Sequence, residues 1–128
     1  MKKRQKQKRS RDEIIRLYEA YIPVVTEKIV KTEMADDGKV TLFVENKGVM
    51  NRIFQKIAHK PKYSQIHLDE MGSFIFQRID GQRTVGQIAE LVKAEFGQEA
   101  EPLYDRLVKY MQILRNNGFI RFAGKERK

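Results

Sequence analysis

Residues 62–79 read KYSQIHLDEMGSFIFQRI, and within this stretch the hydrophobic period changes from two to that of a helix. Lys62 to Leu68 alternates, with Ser64, Ile66 and Leu68 on one side and Tyr63, Gln65 and His67 on the other, as in a strand with two unlike faces. Asp69 follows at a cap position, where a carboxylate can accept from a free amide of the first helical turn. Met71, Phe74, Ile75 and Ile79 then form an apolar stripe, and Asp80-Gly81 stops the helix by offering a left-handed turn. This passage marks where a strand-rich first half gives way to a helical second half.

Upstream, Val24 to Glu33 is rich in Val, Ile and Thr and reads as a strand. Lys39 to Glu45 alternates, with Val40, Leu42 and Val44 on one face. Asp36-Asp37-Gly38 between them tolerates the positive φ of a tight connection, so the two form an antiparallel hairpin. Before the hairpin, Asp12 to Tyr21 has acids at its front and apolar residues at helical spacing, which predicts a short helical arm ended by Pro23. Between hairpin and third strand, Val49, Met50, Ile53, Phe54 and Ile57 recur at helical spacing up to Pro61, which predicts an inserted amphipathic helix docking on the body.

Downstream, Thr84 and Gln87 form a capping box, in which the hydroxyl accepts from the amide three residues on and the glutamine reaches back. The helix they open presents Val85, Ile88, Ala89, Val92 and Phe96 before Gly97. A third helix starts near Pro102, turns Leu103, Leu107, Tyr110, Met111 and Leu114 inward and closes at Asn117-Gly118; Phe119 to Phe122 forms a last short strand. The order of elements predicts the α+β class: a three-stranded antiparallel sheet followed by a three-helix bundle, winged-helix-like, with an N-terminal helical arm and a helical insertion before the third strand. Residues 1–22 are a basic tail and arm, 23–123 the domain interrupted at 46–61, and 124–128 a charged tail.

The chain has 128 residues, 34% of them charged, and a net charge of +9. Seven of those positive charges are Lys2, Lys3, Arg4, Lys6, Lys8, Arg9 and Arg11, with no acid among them, which leaves residues 12–128 at +2. A terminal basic run reads as a solvated tail that binds nucleic acid and other polyanions only weakly. The absence of cysteine excludes disulfides, thiolate nucleophiles and iron–sulfur ligation by this chain's own thiolates. With no apolar run of about 20 residues and no secretory leader, the expected location is cytoplasmic, away from membranes.

Leu68-Asp69-Glu70-Met71-Gly72-Ser73-Phe74-Ile75-Phe76, with Ile79-Asp80-Gly81-Gln82-Arg83-Thr84-Val85-Gly86-Gln87-Ile88, resembles the signature of the PqqD family. Gln87 stands where an acid is usual, and the capping box survives that exchange. Phe96-Gly97 and Leu114 to Ile120 are similar to the family's closing helix and its exit, and the resemblance extends from Val24 to Phe122. It implies a noncatalytic module that takes up a precursor (leader) peptide by strand addition and presents it to a modifying enzyme, radical SAM enzymes among the candidates. By position, the peptide-binding residues are Tyr63, Gln65, Ile66 and His67 on the third strand and Tyr104, Leu107, Val108 and Met111 on the last helix. No cofactor is implied.

Chemistry of other kinds finds little support. His59 and His67 are the only histidines, and Asp69 beside His67 serves better as a helix cap than as a metal ligand. Asp36 with Asp37 and Glu99 with Glu101 fall in a turn and at a helix start, where acids are favoured without catalysis. Two other binding classes remain: a winged-helix nucleic-acid reader, against which the mixed charges Asp105, Arg106, Lys109 and Arg115 of the last helix speak, and an adaptor that forms a homodimer through the strand edge.

Overall fold

The computed structural model describes residues 10–45 and 63–124. The helix expected within 46–61, His59 and the basic residues Lys2 to Arg9 lie outside the described residues. The chain divides into two compact units, Thr26–Gln77 and a second built from both ends, Met1–Val25 with Arg78–Lys128.

The first unit holds a three-stranded antiparallel sheet in the order β2-β3-β4, with β2 at Ile29–Met34, β3 at Val40–Glu45 and β4 at Tyr63–His67. The β2–β3 turn forms where the sequence predicts. Gly38 adopts φ 89°, its amide donates to Ala35 O at 2.9 Å, and the Asp37 carboxylate accepts from Lys39 N at 3.0 Å. In the central strand Val40, Leu42 and Val44 are buried while Thr41, Phe43 and Glu45 are only half-buried, so the alternation separates a core face from a wetter one. Helix α2, Glu70–Arg78, follows β4 after two residues, and Asp69 caps it by accepting from Gly72 N at 2.7 Å. The predicted stripe is rotated: Ile75 and Ile79 are buried as expected, but Phe76 is buried where Met71 and Phe74 are half-buried.

The single strand expected over Val24 to Glu33 is two. β1, Pro23–Val25, pairs with β5, Ile120–Phe122, in the other unit, and β2 begins only at Ile29. The break is local chemistry: the Thr26 hydroxyl accepts from Lys28 N at 3.3 Å and its carbonyl from Ile29 N at 3.3 Å, a side-chain turn that competes with strand pairing.

The second unit contains α1 (Arg11–Glu19), β1, α3 (Val85–Phe96), a 3-10 turn at Gly97–Ala100, α4 (Leu103–Asn116) and β5. The arm is helical as expected and opens on a capping box in which Ser10 Oγ accepts from Glu13 N at 3.1 Å and Ser10 N donates back to Glu13 at 3.2 Å. Its end is anchored by Val85 N donating to Tyr21 O at 2.8 Å and by the rings of Tyr18, Tyr21 and Phe122, whose centroids lie 5.0 to 5.7 Å apart. Gly86 makes this approach possible, since a Cβ there would lie 3.2 Å from Glu19 O. The Thr84–Gln87 box forms as read, with Gln87 N to Thr84 Oγ1 at 3.1 Å and Thr84 N to Gln87 Oε1 at 2.9 Å. On α4, Leu103, Leu107, Met111 and Leu114 are buried as expected, Val108 joins them, and Tyr110 is half-buried.

Candidate functional site

The strand order leaves β4 at one edge of its sheet, and among the described residues it pairs with β3 alone. Which of its backbone groups turn outward follows from one hydrogen bond. Leu68 N donates to Val40 O at 2.9 Å, so Leu68 faces β3. Backbone direction alternates along a strand, and Ile66 therefore faces β3 as well, while Gln65 and His67 direct their N–H and C=O groups away from the sheet. Their side chains are exposed; Ile66, on the core face with Leu42 opposite, is half-buried. Pairing with β3 runs from Glu45↔Tyr63 to Thr41↔His67 without a shift of register.

The end of this ladder is closed by a side chain that sequence patterning passed over. Ser73 Oγ accepts from Val40 N at 2.8 Å and donates to Leu68 O at 3.4 Å, occupying the place of the next backbone bond. Ser73 is 2% exposed, the one buried polar side chain among the described residues. A small hydroxyl residue one position past Gly72, in a helix start abutting a strand, was the available signal; only the β3–β4 pairing gives it a partner.

On the outer face His67 is held by Thr41, with Oγ1 and Nδ1 2.9 Å apart. His67 is thus the strand-surface residue the alternation predicts. The far edge of the sheet differs. A register irregularity between Ile29 and Lys31 interrupts β2, Lys31 and Glu33 form an exposed ion pair at 3.1 Å, and Lys31 Nζ lies 4.8 Å from the centre of the Phe43 ring.

The helical residues assigned by resemblance lie in the other unit. Leu107, Val108 and Met111 are buried, and Tyr104 is half-buried. Burial, with the nearby charge of Glu90, raises the Tyr104 phenol above its ordinary value. Asp105, next along α4, receives both Nε and Nη2 of Arg11, at 2.9 and 2.8 Å; the guanidinium holds this carboxylate below the usual range, and Arg11 is raised in return.

The segment carrying the family signature is a turn and two helix starts. Asp80 Oδ1 accepts from Arg83 N and Gln82 N, both at 2.9 Å, which pushes the carboxyl below its ordinary value. The Arg83 guanidinium donates to Asp80 Oδ2 at 3.2 Å and to Arg78 O at 3.3 Å. Gly81 adopts φ 81° in the same turn, and Thr84 at its end is the cap of α3. Among the described residues no three His, Cys, Asp or Glu side chains stand together as a metal site, and no helix is long and apolar enough to cross a membrane.

The family model described as "Coenzyme PQQ synthesis protein D (PqqD)" matches residues 57–120, half of the 128-residue chain. This protein belongs to the PqqD family. The matched span takes in β4, α2, α3 and α4 and reaches the first residue of β5, whereas the β2–β3 hairpin precedes it. No curated protein and no solved structure matches the chain significantly.

Proposed function

We propose that this protein is a noncatalytic adaptor that binds a precursor peptide as an added strand along β4 and presents it to a peptide-modifying enzyme. The observation that carries the reading is the outward direction of the Gln65 and His67 backbone groups on an edge strand inside the family-matched span. An added strand pairs with such groups, and alternate side chains supply selectivity. The proposal stands on β4 alone. The opposite edge is a poorer acceptor, because an irregular register and paired charges are the devices that blunt edges.

Titration of the full chain, followed by backbone amide NMR at moderate salt, with short peptides encoded beside its gene tests the proposal. Saturable shifts centred on residues 63–68 are expected. A protein whose mass is that of a dimer, with the Gln65 and His67 amides already protected and unmoved by any peptide, would assign the edge to self-pairing instead.

A further inference from the structure

We infer that His67 sets the specificity of the β4 edge, selecting a segment with an acidic side chain at the position across from it. The inference rests on the strand-addition reading above and names the ligand chemistry. In an added strand the residues opposite Gln65 and His67 share the outer face with them, while the residue opposite Ile66 lies on the core face beside an apolar neighbour. The ligand therefore alternates, apolar toward Ile66 and polar toward Gln65 and His67. β4 spans five residues, about 17 Å.

Thr41 Oγ1 occupies His67 Nδ1 at 2.9 Å, which orients the ring and leaves Nε2 as the atom offered to a ligand. We take the tautomer in which the hydroxyl donates to Nδ1, so that the ring carries its proton on Nε2. Nε2–H then donates to the ligand, and a carboxylate is the acceptor that gains most, because a bond to a charged acceptor is roughly twice as strong as a neutral one. The acids of this unit near His67 are otherwise engaged or offset. Asp69 accepts from Gly72 N, Glu33 pairs with Lys31 and is separated from His67 by Thr41 in the register, and Glu45 stands across from Tyr63 at the far end of β4. Glu70, exposed in the first turn of α2, is the remaining carboxylate close in sequence. The other outer-face side chains of β4, Tyr63 and Gln65, carry no charge.

The test uses three synthetic octapeptides alternating valine with aspartate, asparagine or lysine, so that any register slip by two residues keeps the same side chain across from His67. Affinities are read from β4 amide shifts in the wild type, His67→Gln and His67→Glu. The ratio of aspartate-peptide to asparagine-peptide affinity should be about fivefold larger in the wild type than in His67→Gln, and His67→Glu should shift the preference toward the lysine peptide. Because the basic tail is common to all three proteins, its attraction for acids cancels in the comparison. A ratio unchanged by either substitution overturns the role of His67 while leaving strand addition in place; no β4 shift with any peptide overturns both.

Discussion

The two edges of the three-stranded sheet share one central strand and have opposite characters. Facing outward, β4 has a regular register and no carboxylate, lysine or arginine, whereas β2 has an interrupted register and an exposed Lys31–Glu33 pair. Strand pairing demands little more than a continuous row of backbone groups, so such features decide which edge can accept a partner and which repels one. Neither edge is distinguished by its core face, since Val40, Leu42 and Val44 serve both.

That shared dependence gives the largest expected effect. Leu42 is 0% exposed, and Leu42→Ala should cost about 2–5 kcal/mol, loosening both edges together in amide exchange. Ser73→Ala should separate them. It strands the Val40 amide at the β4 end of the ladder, at about 1–3 kcal/mol, and should lower protection at Leu68 and Ile66 while Lys31 and Glu33 hold theirs. Thr84→Ala removes a cap in the other unit and should cost about 1 kcal/mol in a denaturant titration, leaving the pattern of protection at both edges unchanged.

Acid provides the smallest perturbation and a further control. Asp80 is held below its ordinary value by the Arg83 and Gln82 amides, and Asp105 by Arg11. A depressed folded value means that the stabilisation is complete above the unfolded value and is lost as pH falls through the folded one. The Gln82 and Arg83 amide resonances should therefore hold through the ordinary carboxylate range and shift in NMR only at lower pH, as Asp80 protonates.

Short-range signals were the most legible part of the sequence. The Thr84–Gln87 box, the Asp36-Asp37-Gly38 turn and the Asp69 cap each involve residues no more than three apart, and all form as read. The Ser10–Glu13 box had the same signature and fixes the start of the arm slightly earlier than its acids and apolar spacing suggested. The division of Val24 to Glu33 was hidden because Val, Ile and Thr favour strands on either side of a break, and a single Thr26 hydroxyl makes the turn. Of the candidate site, alternation gave β4 and its outward-facing His67. Ser73 and Thr41 were not legible as partners, because their bonds to Val40 and His67 span 33 and 26 residues and exist only once β3 and β4 pair.

On the proposed reading β4, and not β2, receives a strand. Gln65 directs its amide outward on β4, and the register likewise turns the Thr32 amide outward on β2, since the neighbouring Lys31 and Glu33 are the residues set across from Phe43 and Thr41. Proline at either position removes one outward donor from an edge that tolerates it. The decisive measurement is the affinity of a β4-binding peptide for Gln65→Pro and Thr32→Pro, each confirmed folded by its amide spectrum. Strand addition at β4 should cost Gln65→Pro about tenfold or more in affinity and leave Thr32→Pro at the wild-type value; the reverse order would place the strand on β2, and no loss in either would place it on neither edge.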